Sequence, residues 1–227
     1  MALAFESNPG SQTTVLLNGD VTRSSVTRAL EHIADQVTAD DQVWLYFSGM
    51  GFQHREAGYL GLSDTSASNL LANSLAATEL VAWLKDLRAK QALVMVDACH
   101  SGLVSNHKGV MPYILGGLAE RTEGKVWLAA GAADELAFED STLGHGLFTY
   151  SVLDGLSGKA DFDSDGFVTA LELATYVKYA VATVANGRGQ HPWMQTIDGS
   201  PDFTISVANR SVAPTPQGTA LPTHFTR

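Results

Sequence analysis

The chain is poor in cysteine and in basic residues. Its 227 residues include one cysteine, Cys99, so no disulfide can form within the chain. A lone cysteine is typical of a reducing compartment or of a reactive thiol. The 14 lysines and arginines are outnumbered by 24 acidic residues, which gives a net charge of −10. This acidity argues against nucleic acid or an anionic membrane as the main partner and permits a basic peptide segment.

Long apolar runs are missing as well. Residues 1–6 carry neither a basic region nor an apolar stretch of signal-peptide length, and no segment is apolar enough to be a transmembrane helix. We therefore expect no membrane association and a cytoplasmic location. The hydrophobic fraction of 45% and the charged fraction of 17% are ordinary for a soluble globular protein. The length is enough for one sizeable α/β domain.

Two short apolar runs are present, and each stops at small and polar residues. Residues 93–96, Leu-Val-Met-Val, are followed by Asp97, Ala98 and Cys99, and then by His-Ser-Gly. Residues 42–47 are followed by Ser-Gly, Met50 and Gly51. Such runs are typical of buried strands in a parallel sheet. Ligands of open α/β sheets bind at the carboxyl ends of the strands, so we expect a functional site there.

The remaining pattern alternates between strands and helices. Strands are predicted at 13–17, 42–47, 93–98, 126–130 and 202–207, and helices from Thr22 or Ser24 to Val37, from a Thr78 cap to Leu87, at 147–157 and at 170–186. Residues 51–77 and 103–121 read as loops, and the Pro- and Thr-rich residues 208–227 as a disordered tail. This alternation predicts a three-layer α/β domain with a mainly parallel sheet over 1–207.

The segment Val-Asp-Ala-Cys-His-Ser-Gly at 96–102 closely resembles the nucleophile segment of caspase-like cysteine peptidases, in their metacaspase and bacterial branch. The segment Tyr-Phe-Ser-Gly-Met-Gly at 46–51 is similar to the strand that carries the catalytic His of that family, and Met50 stands where the His is expected. Further similarity covers 129–135 and 144–150. The resemblance implies a caspase-like fold over about 13–207, here without the first strand and helix that usually precede it.

The resemblance also implies roles for individual residues. Cys99 would attack the scissile carbonyl, and the backbone N–H groups of Gly51 and Cys99 would form the oxyanion hole. Asp97 would lie in the specificity pocket and select a peptide or protein segment with Arg or Lys, because a buried carboxylate favours a cationic partner.

Met50 cannot serve as the base, because a thioether is only a weak hydrogen-bond acceptor. One hypothesis is therefore a pseudopeptidase that keeps the Cys99 thiol and the Asp97 pocket and cuts poorly or not at all. A second is an active cysteine endopeptidase in which His54, a water molecule or a rearranged loop replaces the base. The sequence leaves open whether the chain is an active enzyme and what its oligomeric state is.

A second motif lies at 161–172. It matches the twelve-residue calcium loop of EF-hands, with Gly166 at the sharp turn, and predicts a calcium site. The expected ligands are the side chains of Asp161, Asp163, Asp165, Thr169 (through water) and Glu172, and the carbonyl of Phe167. The alternative is that Thr169 and Glu172 form a capping box at a helix start, and the two can coexist. This loop suggests a third hypothesis, a calcium-responsive interaction module.

Overall fold

Strands and helices alternate along the chain in a computed structural model, which describes residues 11–55, 57–98, 123–131, 139–140, 145–185 and 189–207. The helices are α1 (Arg23–Gln36), α2 (Ala77–Asp86), α3 (Leu147–Asp154) and α4 (Ala170–Ala185). The strands are β1 (Gln42–His54), β2 (Ala57–Gly61), β3 (Leu75–Ala76), β4 (Gln91–Ala98), β5 (Gly124–Ala129), β6 (Glu139–Asp140), β7 (His145–Gly146), β8 (Phe167–Thr169), β9 (Trp193–Gly199) and β10 (Thr204–Val207).

The main sheet has the strand order β3-β2-β1-β4-β5-β9. Its three central strands, β1, β4 and β5, are parallel, whereas β2, β3 and β9 join by antiparallel pairing. The predicted mainly parallel core of the sheet is thus confirmed. Residues 42–49 of β1 lie beside β4, and this pairing ends where the two apolar runs stop, at Gly49 and Ala98.

Strand β4 is buried on both faces. Leu93 and Met95 belong to one hydrophobic cluster, and Val94 and Val96 belong to the other. Side chains alternate between the faces of a strand, so an unbroken apolar run is what a strand between two helical layers requires. This alternation makes the domain three-layered.

The first helical layer consists of α1 and α2. Helix α1 begins after Thr22, whose hydroxyl accepts a hydrogen bond from the backbone N–H of Ser25 in a capping box. Leu30 is buried against the sheet, and its carbonyl accepts a hydrogen bond from the Trp83 indole on α2. The predicted cap and span of α1 are confirmed.

The second layer consists of α3 and α4. Helix α3 ends at Asp154 and continues as a π-helical turn over Gly155–Lys159, where Gly158 has a φ of 111°. Gly155 lies so close to α4 that a Cβ there would be 2.7 Å from the Leu173 side chain. The helix predicted at 170–186 is confirmed as α4.

The region predicted as a loop at 51–77 contains regular structure, so that prediction is wrong. Strand β1 runs on to His54 and folds back through Arg55, with a φ of 56°, into β2. Phe52 and Tyr59 stack across the hairpin, with ring centroids 5.4 Å apart. This contact stabilises the hairpin, because cross-strand aromatic pairs favour antiparallel pairing.

Two local predictions are also wrong. Residues 11–17 have no regular structure, although the run at 13–17 has strand-like composition. Val15 and Leu17 are exposed, and strand propensity without a buried face does not form a strand. Helix α2 begins at Ala77 rather than after Thr78, and its preceding residue, Ala76, makes no side-chain cap.

The strand predicted at 202–207 is confirmed as β10, and one further strand precedes it. Strand β9, which the sequence did not reveal, forms an edge of the main sheet beside β5. Strand β10 pairs with β8 in a separate two-stranded sheet. The predicted loop at 103–121, the tail at 208–227 and Cys99 lie outside the described residues. Among the described helices, none combines the length and the apolar character needed to cross a bilayer.

Candidate active site

The pairing of β1 with β4 brings the described parts of the two caspase-like segments side by side. The parallel register pairs Ser48 with Asp97 and ends with Gly49 opposite Ala98. The next residues in the sequence are Met50 and Cys99. Neighbouring strands lie about 5 Å apart, so the register places residues 47–49 beside residues 96–98, as the family resemblance implies.

Met50 is a surface residue. It lies in the β1–β2 hairpin opposite Gly61, and 69% of its surface is exposed. A methionine used for packing would be buried. Met50 therefore places an apolar, non-titrating side chain at the surface, directly after the last residue of β1 that pairs with β4.

Gly51 and His54 follow in the same strand. Gly51 is buried and pairs with Leu60 of β2. His54 pairs with Ala57 at the end of the hairpin. With a rise of about 3.3 Å per residue, His54 is roughly 13 Å along the strand from Met50. It is held in regular structure instead of the loop that the sequence suggests.

Asp97 is buried at the end of β4, with only 8% of its surface exposed. The hydroxyl of Thr149, in the first turn of α3, donates a hydrogen bond to its Oδ2. The same hydroxyl is 2.6 Å from the phenol oxygen of Tyr46 on β1. Gly146 lies against the carboxylate, and a Cβ there would be 2.9 Å from Oδ2. The carboxylate is thus enclosed by three elements of the fold.

Tyr46 shares a face of the sheet with Asp97. Tyr46 and Trp44 pack against the cluster that contains Leu93 and Met95, four residues and two residues before Asp97. Burial raises the pKa of Tyr46, and the negative charge of Asp97 adds to this rise, while hydrogen bonds with Thr149 and Ser48 act in the opposite direction. The net effect keeps the phenol protonated.

Sequence reasoning missed Tyr46, Thr149 and Gly146 as members of this site. All three lie in segments that resemble the family, at 46–51 and 144–150, so the resemblance could have marked them as candidates. The sequence does not indicate that they surround Asp97, because Thr149, for example, is 52 residues from Asp97 in the chain.

The predicted calcium loop is a separate site that follows the π-helical turn. Carboxylate oxygens of Asp161, Asp163 and Asp165 all lie within 4.8 Å of one another. Gly166 has a φ of 90°, which favours glycine at the sharp turn. Three negative charges and hard oxygen donors at this spacing fit calcium better than a softer metal.

Glu172 closes the loop at the start of α4. One carboxylate oxygen accepts a hydrogen bond from the N–H of Phe162, at 3.1 Å, and the other from the N–H of Thr169, at 2.9 Å. The Thr169 hydroxyl in turn accepts a hydrogen bond from the N–H of Glu172. The capping box is therefore present, and the same carboxylate joins both ends of the acidic loop.

Comparison with known proteins identifies the family. The profile of the caspase domain matches residues 1–203. The crystal structure of protein GSU0716 from Geobacter sulfurreducens is similar, with a TM-score of 0.58 and 17% identity, covering 91% of this chain and 85% of that chain. At this identity the likeness shows the fold alone. No curated protein matches the chain by sequence. The chain belongs to the caspase domain family.

Proposed function

We propose that this protein is a caspase- or metacaspase-like peptide-binding protein that recognises Arg or Lys through Asp97 and has little peptidase activity of its own. The observation that carries the proposal is the exposed Met50 directly after the last registered pair of β1 and β4. The family places a histidine there. A buried, hydroxyl-bound Asp97 at the neighbouring strand end supports retention of the pocket.

The chemical consequence follows from the absent imidazole. In a complete Cys-His pair the histidine takes the thiol proton, and the thiolate sulfur bonds to the carbonyl carbon. The histidinium then gives that proton to the departing amine, and water cleaves the thioester. Met50 can neither accept nor deliver a proton. Loss of a general base costs about 10²–10⁴ in rate, so cleavage through Cys99 would be slow.

An active peptidase that uses His54 is the competing proposal. Its weakness is distance, because His54 lies four residues along the strand from Met50 and the hairpin holds both. A base must reach the thiol within hydrogen-bond distance or through one water molecule. The fixed position of His54 therefore favours the pseudopeptidase.

A fluorogenic peptide with Arg before the cleavage site tests the proposal. The full chain, its Met50→His variant and the Met50→His/Cys99→Ala double variant are assayed with and without calcium. We expect cleavage mainly in Met50→His, and its loss in the double variant. Robust cleavage by the unmodified chain that disappears in Cys99→Ala would contradict the proposed impairment, and His54→Ala would then identify the base.

We also propose that residues 161–172 bind calcium. The convergence of Asp161, Asp163 and Asp165 carboxylates supports this second function. The Phe167 carbonyl, Thr169 through water and Glu172 would complete the set. Bound calcium would offset the repulsion among the carboxylates and hold the entry to α4. Calorimetric titration of the full chain with calcium tests it.

A further inference from the structure

Thr149 has one hydroxyl proton, and this decides the direction of the hydrogen bonds beside Asp97. The Thr149 hydroxyl donates to Asp97 Oδ2. It cannot donate to Tyr46 at the same time, so in the 2.6 Å contact between the two hydroxyls the donor is Tyr46. The bonds form a directed chain from Tyr46 through Thr149 to the carboxylate. Each bond in such a chain polarises the next and strengthens it.

Water cannot readily replace these hydrogen bonds, because the groups that make them are shielded from solvent. Thr149 is 5% exposed and Asp97 8% exposed. Tyr46 keeps its proton because burial, more than any other factor, raises its pKa. Removing the Thr149 hydroxyl would therefore take one donor from a buried carboxylate, at a place where water cannot readily supply another.

Helix α3 contributes a second, independent constraint. Thr149 is its third residue, and Gly146 precedes its first. The absent Cβ of Gly146 allows the carboxylate to lie against the helix N-terminus, where the partial positive charge of the helix stabilises an anion. The hydroxyls and the helix end both favour the ionised, oriented form of Asp97.

From this arrangement we propose that Tyr46 and Thr149 are specificity-determining positioning residues, which orient Asp97 and keep it ionised for recognition of a cationic substrate side chain. The inference rests on the proposed function, in which Asp97 is the pocket carboxylate. Tyr46 and Thr149 act through Asp97 and need not touch the peptide. Their loss should reduce preference for a cation more than it reduces general peptide binding.

The expected effect is a loss of charge discrimination. Without the Thr149 donor the buried carboxylate is less stable in its charged form and less firmly oriented, so it attracts a guanidinium less strongly. Thr149→Val keeps the shape and removes the hydroxyl, whereas Thr149→Ser keeps the donor. Tyr46→Phe removes only the outer bond of the chain and should have a smaller effect.

The experiment measures binding of two peptides to the full chain carrying Cys99→Ala, so that no cleavage consumes the probe. One is an alanine-based peptide with a single arginine, and the other carries citrulline, a neutral isostere of arginine. The quantity of interest is the ratio of the two affinities, measured by calorimetry. We expect Thr149→Val to lower this ratio about tenfold, Tyr46→Phe to lower it about threefold, and Thr149→Ser to restore it.

The outcomes separate this inference from the proposed function. If the parent chain does not prefer arginine to citrulline, or if Asp97→Asn leaves the ratio unchanged, the pocket assignment itself is wrong. If the parent prefers arginine and Asp97→Asn abolishes that preference, but Thr149→Val retains it, the positioning role is wrong. Should Thr149→Val fail to fold, Tyr46→Phe decides, and an unchanged ratio in that variant overturns the inference.

Discussion

Gly49 and Ala98 are partners in the last pair of the parallel ladder between β1 and β4. Gly49 directly precedes Met50, and Ala98 directly precedes Cys99 in the sequence. In the proposed function, Met50 stands where the family has its histidine and Cys99 is the retained thiol. Because β1 and β4 keep their register up to Gly49 and Ala98, replacing Met50 by histidine tests the proposed function with a single substitution.

Met50→His should raise Cys99-dependent cleavage of an Arg peptide by at least about a hundredfold over the unmodified chain. Met50 is largely exposed, so the substitution should change the free energy of unfolding by less than about 0.5 kcal/mol. Initial cleavage rates and urea unfolding measure the two effects. Met50→Gln, similar in size and without a base, is the matched control. Equal rates in the His and Gln variants, with both folded, would refute the missing-base explanation.

Calcium should bind the full chain with measurable heat at millimolar concentration or below. Asp161→Ala should abolish this heat, because it removes one of three converging carboxylates and the acceptor of the Gly166 N–H. Asp35→Asn on α1 removes one exposed acidic group elsewhere and should leave binding intact. If the unmodified chain gives no heat with calcium, the loop does not bind calcium and serves only to begin α4 through the capping box of Thr169 and Glu172.

The protein should lose stability above about pH 10. Tyr176 donates to the fully buried Asp154, and its pKa is raised, first by burial and then by Asp154. A tyrosine with a raised pKa in the folded state stabilises the fold fully below the pKa of the unfolded chain, near 10. As pH rises toward the folded pKa this stabilisation is lost, by up to about 1.4 kcal/mol per pH unit for each such group.

Tyr176→Phe provides the check. Its free energy of unfolding should be about 1–3 kcal/mol lower at pH 8, because the Asp154 carboxylate loses a donor. Between pH 10 and pH 11 it should fall less steeply than that of the unmodified protein, though still measurably, since the pKa values of Tyr46 and Tyr150 are also raised. Parallel curves from urea unfolding at these pH values would show that Tyr176 does not titrate as expected.

Gly124→Ala should unfold the protein or cost several kcal/mol. A Cβ at Gly124 would lie 1.8 Å from the Ser200 carbonyl oxygen and 2.7 Å from the Phe203 ring, and the backbone contact cannot be relieved by a rotamer change. Gly19→Ala is the matched control, because a Cβ there meets nothing within 4 Å. Thermal unfolding compares the two, and a similar melting temperature for both would contradict the close approach of β5 to the residue after β9.

Local pattern alone determined several parts of this protein. The apolar run of β4 identified a strand buried on both faces, and the spacing of apolar residues in α1 identified its inner face, because these periods follow from backbone geometry. The sequence narrowed the cap of α1 to Thr22 or Ser24, and the structure shows that it is Thr22, whose partner is three residues away. The family came from motif resemblance, and the family profile confirms it. The roles of Asp97 and Met50 stay predictions.

Only the tertiary structure decided which groups surround Asp97. Thr149 is 103 residues from Tyr46, and no local pattern states that their hydroxyls meet. Residues 13–17 form no strand although their composition favours one, because no partner strand buries them. Strand β10 pairs with β8 and not with the main sheet, and only the tertiary structure shows which partner is available to it. Sequence determines what each segment can form, whereas contacts between distant segments determine which possibility lowers the free energy of the whole chain.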